Sequence, residues 1–137
     1  MLDLQQIHTS LVDSSHVAQK VLATVISYYP GRGADGTDEA LCDAGGIAMS
    51  KDTGPFKGYG WVNGGKWDLK SISQEHGILA QGSGSNPDSI KIGEKVEILG
   101  QHACMIAAAH PWYYIVDSST TEDADKVVDV WVPCKGW

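Results

Sequence analysis

The sequence has little of what marks secreted, membrane-bound or nucleic-acid-binding proteins. Its 137 residues contain only three cysteines, Cys42, Cys104 and Cys134. An odd, sparse set does not form a disulfide framework, so we expect a reducing, cytoplasmic environment. No apolar run approaches the roughly 18 residues of a membrane span. Lys and Arg total 10 against 17 for Asp and Glu, which gives no basic footprint for nucleic acid or an anionic membrane.

Several motifs of common enzyme classes are also absent from the sequence. There is no Cys-x-x-Cys, Walker loop, Gly-x-Ser-x-Gly elbow or His-Glu-x-x-His. The N-terminal stretch Met-Leu-Asp-Leu-Gln-Gln lacks the basic flank and apolar core of a signal peptide. The length suits one domain and is too short for a complete (β/α)8 barrel, which needs at least about 200 residues.

The hydrophobic pattern favours short β-strands between glycine-rich turns. Residues 17–29 are rich in β-branched side chains and apolar on both alternating faces, which predicts a central strand. In the last third, Val96 and Ile98 alternate with Lys95 and Glu97, as in a strand with one buried face. Further strands are predicted in residues 40–46, 67–79, 102–109, 113–117 and 127–132.

For three segments the sequence does not predict a clear strand. One is ambiguous between strand and helix, and two are predicted to be irregular. The alanine run in 102–109 is ambiguous, since it could also form a helix. Residues 53–65 carry five glycines and several aromatic side chains, which predicts an irregular segment anchored by aromatic contacts. Residues 81–87 have the composition of a flexible loop. Together the patterns predict an all-β, mainly antiparallel barrel or sandwich.

The sharpest chemical feature is the pair His102 and Cys104. On a strand, residues i and i+2 point to the same face, and imidazole and thiolate are both good zinc ligands. Two ligands leave positions open for water or substrate, which is typical of a catalytic zinc site. The alternative is a packed cysteine beside a hydrogen-bonded histidine, and the spacing alone does not decide between the two.

The other polar motifs have weaker chemical signals. Glu75 and His76 are neighbours that could supply acid–base groups or support a metal ligand, although on a strand they would face opposite ways. The alternative is a polar pair at a strand end. Asp43 follows a strand and could equally cap backbone amides or touch a ligand. Residues 50–55 have the composition of a solvated loop.

Read in order, the motifs resemble one family over residues 17–137. The chain is similar to the C-terminal domain of the eukaryotic-type D-serine dehydratases and their relatives, the D-threonine aldolases. Residues 1–16 are similar to the segment where the chain leaves a preceding barrel domain. The motifs that carry the resemblance are VLATVIS (21–27), CDAGGIAMSKDTGP (42–55), YGWV (59–62), SQEHGIL (73–79), IKIGEKVEILGQHAC (90–104), YYIVD (113–117) and VVDVWVPCKGW (127–137).

The resemblance implies a fold and a metal site. In this family a barrel domain binds pyridoxal phosphate, and a β-rich domain with a metal site follows, as in alanine racemase-like enzymes of fold type III. The family's metal pair corresponds to His102 and Cys104, with cysteine implying zinc and dehydratase activity, whereas aspartate at the second position implies manganese and aldolase activity. Thiolate is a soft ligand that favours zinc, in agreement with that pattern.

The implied reaction is conversion of D-serine to pyruvate and ammonia. The pyridoxal ring acts as the electron sink after its lysine removes the α-proton, and zinc polarises the β-hydroxyl that leaves. The Schiff-base lysine belongs to the barrel domain, and no lysine of this chain matches it, so we expect the chain alone to be inactive. The implied partners are that barrel, in cis or in trans, a small D-amino acid substrate and a second copy of the enzyme in a homodimer.

Two other functions remain open from the sequence. The chain could be the corresponding domain of a D-threonine aldolase-type carbon–carbon lyase, or a non-catalytic module that binds a metal or a partner after losing its barrel. In each case we expect an exposed apolar patch where the barrel would dock, with the aromatic residues of 55–67 as part of it.

Overall fold

The computed structural model of the chain describes residues 2–82, 89–119 and 124–134. Six antiparallel strands in this part form a closed barrel. In chain order they are β1 (Val21–Tyr29), β2 (Glu39–Cys42), β3 (Gly60–Val62), β4 (Trp67–Ile72), β5 (Gly77–Gln81) and β6 (Lys95–Gly100). Around the barrel their order is β1-β2-β5-β4-β3-β6, and β6 closes the circle by pairing with β1. Closure leaves no free sheet edge in the barrel. The all-β, antiparallel prediction is therefore confirmed.

Three short helices lie outside the barrel wall, and a separate two-stranded sheet follows them. The helices are α1 (Leu4–His8), α2 (Gly46–Met49) and α3 (Ala103–Ala109), and the two strands are β7 (Tyr113–Val116) and β8 (Val127–Trp131). The remaining regular elements are single 3-10 turns at Ser14–His16, Ala34–Gly36 and Asn63–Gly65. In the described part of the chain, no helix is both long enough and apolar enough to cross a membrane.

The core fills the inside of the barrel with one alternating set of side chains from each strand. Val96 and Ile98 of β6 are fully buried while Lys95 and Glu97 are exposed, which confirms the alternation predicted for this strand. The largest side chain in the interior is Trp67 at the start of β4. The others that are fully buried among the strands are Val25, Cys42, Val62, Leu69 and Leu79.

β1 has a neighbouring strand on each side, β2 and β6, as predicted for a central strand, but only one of its faces is buried. Val21, Ala23 and Val25 point into the barrel, but Leu22 is 64% exposed and Ile26 is 39% exposed on the outside. A closed barrel is a single layer, so one face of each strand remains outside unless another element covers it. The apolar outer residues of β1 have no such cover among the described residues.

Two strand predictions need correction. Residues 67–79 form a hairpin of β4 and β5, because the polar residues between Ile72 and Gly77 make a turn in which Ser73 N–H donates to the His76 carbonyl at 2.8 Å. Residues 103–109 form α3, whose buried Ala103, Ile106 and Ala107 are spaced with the helical period. Alanine favours the helix, so the ambiguous run adopts the alternative conformation. Residues 83–87 of the predicted flexible loop lie outside the described residues.

Many of the exposed large apolar side chains lie on β7 and β8, and we call these two strands the apolar ribbon. Tyr114 pairs with Val130 and Val116 with Val127, so these four exposed side chains share one face. The aromatic residues of 55–67, which were predicted to form part of such a patch, are instead half-buried or buried. Phe56 and Trp61 pack on each other with ring centroids 4.5 Å apart, so this irregular segment is anchored by aromatic contacts as predicted.

Candidate metal centre

The predicted metal pair lies at the junction between β6 and α3. Gln101, the residue that leaves β6, is almost completely buried, and its Nε2 donates to the Phe56 carbonyl at 3.1 Å and the Gly58 carbonyl at 3.0 Å. These bonds tie the junction to the irregular segment before β3. A side chain at Gly54 would clash with Gln101, because a Cβ there would lie 2.6 Å from Gln101 Oε1. The backbone that presents His102 therefore starts from a fixed point.

His102 and Cys104 are brought together at this junction, although they do not lie on one strand. His102 is the N-cap residue of α3 in extended conformation, and Cys104 is in the first turn of that helix. His102 Nε2 lies 2.8 Å from Cys104 Sγ. The thiol is exposed and the imidazole half-buried, so the two donor atoms face the surface of the domain.

Asp52 is a third member of the site that the sequence analysis did not identify. Its Oδ2 contacts His102 Nδ1, on the opposite side of the ring from Cys104. A carboxylate can only accept a hydrogen bond, so this contact favours the tautomer with the proton on Nδ1 and leaves the Nε2 lone pair directed at Cys104. Histidine ligands of metals are commonly held in this way by a carboxylate behind the ring.

The loop that carries Asp52 follows α2. It begins at Ser50, whose φ of 65° is in the left-handed region, and the Asp52 backbone N–H donates to Ser50 Oγ at 3.3 Å. The sequence motif 50–55 was interpreted as a solvated loop, and Asp52 is in fact half-exposed. Its position in the sequence, fifty residues before His102, gave no spacing signal that would connect the two.

The donor set fits a zinc ion held by two protein ligands. Tetrahedral zinc with bonds of about 2.0 Å to nitrogen and 2.3 Å to sulfur separates the two ligand atoms by about 3.5 Å. The pair would thus have to open by less than about 1 Å, which side-chain rotation allows. Among the described residues, no group of three or more His, Cys, Asp or Glu side chains could hold a metal. A metal here would keep open positions.

Neither Glu75 nor His76 joins the pair. Both are exposed in the turn between β4 and β5, and within the described ranges neither side chain makes a hydrogen bond or ion pair with His102 or Cys104. The turn instead supports α2, since Gly46 N–H donates to the Ser73 carbonyl at 2.9 Å. Asp43, the other candidate, accepts from the Thr24 N–H at 2.6 Å, which is the amide-capping alternative.

The three cysteines have different environments. Cys42 is fully buried in β2, and burial raises the pKa of its thiol, so it behaves as a core residue. Cys134 is exposed beyond β8. Of these three thiols, Cys104 alone lies within hydrogen-bonding distance of a histidine in the described part of the chain.

The far end of α3 is also fixed. His110 Nε2 lies 3.1 Å from the Ala48 carbonyl of α2, and Tyr113 Oη donates to the Ala107 carbonyl at 2.8 Å. His110 is half-buried in this position. These contacts hold α3 against α2, from which the Asp52 loop departs.

A closed six-stranded antiparallel barrel with a His-x-Cys pair at its rim defines a domain class, and comparison with known proteins identifies its family. The sequence matches the family described as "Putative serine dehydratase domain" over residues 18–116, and the chain belongs to this family. It is 40% identical over 142 residues to the D-serine dehydratase of Schizosaccharomyces pombe, covering 100% of this chain and 32% of that protein. The chain thus spans about a third of the length of the curated relatives it matches.

Solved structures of relatives share the fold. The D-threo-3-hydroxyaspartate dehydratase of Delftia sp. HT23 superposes with a TM-score of 0.79 at 31% identity, covering 100% of this chain and 37% of that one. An alanine racemase-like protein from Idiomarina loihiensis gives the same TM-score at 28% identity, covering 100% of this chain and 37% of that one. Two further structures are of D-threo-3-hydroxyaspartate dehydratase variants. One has a histidine replaced by alanine, and the other has a cysteine two positions later replaced by alanine and is described as being in the metal-free form.

Proposed function

We propose that this chain is the metal-bearing domain of a pyridoxal-phosphate- and zinc-dependent dehydratase that acts on D-serine. The observation that carries the proposal is the 2.8 Å separation of His102 Nε2 and Cys104 Sγ, with Asp52 behind the ring. The metal-free description of the D-threo-3-hydroxyaspartate dehydratase cysteine variant supports the assignment, because that enzyme has a histidine and a cysteine at the same spacing. We infer D-serine as the substrate from the resemblance to D-serine dehydratases.

The residues of this chain would hold and orient the metal. Cys104 would bind as thiolate, and His102 would bind through Nε2 while Asp52 keeps the proton on Nδ1. Zinc, when bound, supplies a Lewis acid with open positions that can polarise a β-hydroxyl group. Both dehydratase activities named among the relatives, toward D-serine and D-threo-3-hydroxyaspartate, concern β-hydroxy D-amino acids. We therefore propose this class as the substrate, with D-serine favoured by the higher identity.

Cys104 also favours the dehydratase over the aldolase alternative. A carboxylate at this position would suit a harder cation such as manganese, whereas thiolate suits zinc. The pyridoxal phosphate itself, which supplies the electron sink, would be bound by a barrel domain in cis or in trans. We place residues 1–16 at the junction with that barrel and expect no dehydratase activity from this chain alone.

The apolar ribbon is our candidate for contact with the barrel domain that binds pyridoxal phosphate, or with a second copy of the chain in a homodimer. Contiguous exposed apolar patches on a domain usually mark an interaction surface. The alternative of a module that only binds a metal or a partner predicts the same zinc site but no activity when a barrel domain is supplied. We propose a cytoplasmic location, where the three cysteines would stay reduced.

The test is zinc binding by the purified chain. Wild-type protein should take up zinc stoichiometrically in competition with a chromophoric chelator, and His102→Ala and Cys104→Ser should each lose this binding while the circular dichroism spectrum is unchanged. Matched controls are His16→Ala and Cys134→Ser, which remove an exposed histidine and an exposed cysteine elsewhere. If the wild type binds no zinc, or both site variants bind as the wild type does, the proposed site is wrong.

A further inference from the structure

Asp3, near the N-terminus, accepts a hydrogen bond from the backbone N–H of the residue between the two proposed ligands. Asp3 is 3% exposed, and its two carboxylate oxygens have different partners. Oδ1 accepts from the Gln5 N–H at 2.9 Å and caps α1. Oδ2 accepts from the Ala103 N–H at 2.7 Å and reaches α3, one hundred residues further along the chain. A single buried carboxylate therefore joins the first turns of two helices.

The bond to Ala103 satisfies one of the first N–H groups of α3, which have no partner inside the helix. The N-cap side chain of a helix normally accepts from one of the first free N–H groups. The N-cap residue of α3 is His102, and its side chain makes no capping bond. Its imidazole contacts Cys104 and Asp52 instead. Asp3 thus satisfies the Ala103 amide, which an N-cap side chain does not bond, while the His102 imidazole faces Cys104 and Asp52.

The bond also constrains the backbone where the site geometry is decided. Ala103 is the residue between His102 and Cys104, and it is buried, so water does not easily replace a lost acceptor there. The rotation of the peptide groups around Ala103 sets the relative direction of the two ligand side chains. An acceptor fixed by α1 holds that rotation in place.

We propose that Asp3 is a positioning residue for the His102–Cys104 pair, so that the segment containing α1 is part of the support of the metal site. This inference rests on the proposed function for its metal, and on the Asp3–Ala103 bond for its geometry. Asp3 acts through the backbone and does not itself ligate. The segment that contains α1 is then coupled to the metal site. The same segment would connect this domain to the barrel domain that binds pyridoxal phosphate.

Three substitutions separate the role of Asp3 in the site from its role in α1. In Asp3→Asn one of the two acceptors becomes an NH₂ donor, so either Gln5 or Ala103 loses its partner. In Asp3→Ser the hydroxyl can still cap α1 but is too short to reach Ala103 as well. The matched control is Gln6→Ala, because Gln6 Oε1 accepts from the Asp3 N–H at 2.9 Å and completes the α1 capping box without contacting α3.

The experiment measures the metal site and the metal-free backbone of the full chain. Zinc affinity of Asp3→Ser should fall on the order of 10- to 100-fold, as for other residues that orient metal ligands, while Gln6→Ala keeps the wild-type affinity. Asp3→Asn should show the same fall if its remaining oxygen stays on Gln5 and no fall if it stays on Ala103, and the exchange rate of the Ala103 amide distinguishes the two. With Co²⁺ in place of zinc, the thiolate charge-transfer band should shift in the Asp3 variants. In the metal-free chain, NMR should show faster exchange of the Ala103 amide and a changed His102 imidazole signal.

The outcomes distinguish this inference from the proposed function. Wild-type zinc affinity, Co²⁺ spectrum and His102 signals in both Asp3 variants would overturn the positioning role, and so would equal losses in Gln6→Ala. A wild-type chain that binds no zinc would overturn the proposed function. The NMR comparison would still decide whether Asp3 orients the pair, because it needs no metal.

Discussion

Replacing Asp52 with alanine would remove the carboxylate behind His102 and free the imidazole to rotate and change tautomer. Loss of such a supporting group typically lowers metal affinity 10- to 100-fold. The side chains of Asp52 and His102 are 43% and 30% exposed, so water can replace part of the contact. We therefore expect the lower end of that range for Asp52→Ala, about 10-fold or about 1.4 kcal/mol. A carboxylate–imidazole contact this exposed stabilises a fold by at most about 1 kcal/mol, so the chain should stay folded.

The assay for Asp52→Ala is a competition titration of zinc against a chelating dye at neutral pH. The chain offers a matched control, since Asp13 Oδ1 lies 3.1 Å from His16 Nδ1 in an exposed turn. Asp13→Ala removes the same kind of carboxylate–imidazole contact without touching the site. Affinity should fall in Asp52→Ala and remain unchanged in Asp13→Ala. Wild-type affinity in Asp52→Ala, or the same loss in both variants, would refute the reasoning.

Two further predictions concern the fold and its surface. Burial raises the pKa of the Asp68 carboxyl, with Lys57 acting in the opposite direction. The folded chain thus holds this proton more tightly than the unfolded chain, and the stability contribution of Asp68 falls as pH rises from the unfolded pKa through the folded pKa. Asp68→Asn should raise the melting temperature at neutral pH. It should give no such gain in acid, at a pH below the folded and the unfolded pKa of Asp68. The same gain in melting temperature at neutral and at acid pH would contradict the assignment. The apolar ribbon predicts that the chain self-associates at high concentration, and Val130→Lys should reduce the association measured by light scattering; unchanged scattering would point to another surface.

The strands that the sequence predicted well are those where burial follows local alternation. β6 is an example, because Val96 and Ile98 alternate with charged residues that have no place inside the barrel. In β1 the pattern does not reveal burial, since its outer face carries Leu22 and Ile26 although one layer of barrel buries only the inner face. Local alternation shows which residues are apolar but not which elements of the fold pack against them.

The site was only partly predictable for a related reason. The spacing of His102 and Cys104 marked them as a pair, but the residues that support them are far away in sequence. Asp52 comes from the loop after α2 and Asp3 from the start of the chain, and both arrive through the packing of α2, α3 and α1 around the end of β6. No periodicity or short motif connects these positions, so the tertiary structure is needed to find them.

The conformation of the junction explains why the pair is so close. On a continuous strand, residues i and i+2 are separated by roughly 6.6 Å along the chain, and their side chains point to the same face. In the structure His102 is extended, with φ −137° and ψ 98°, and the helix begins at Ala103, where the rise falls to about 1.5 Å per residue. The change from strand-like to helical backbone brings Nε2 within 2.8 Å of Sγ. A two-ligand site at this position therefore depends on where α3 begins, and the bond from Asp3 to the first amide of α3 fixes that point.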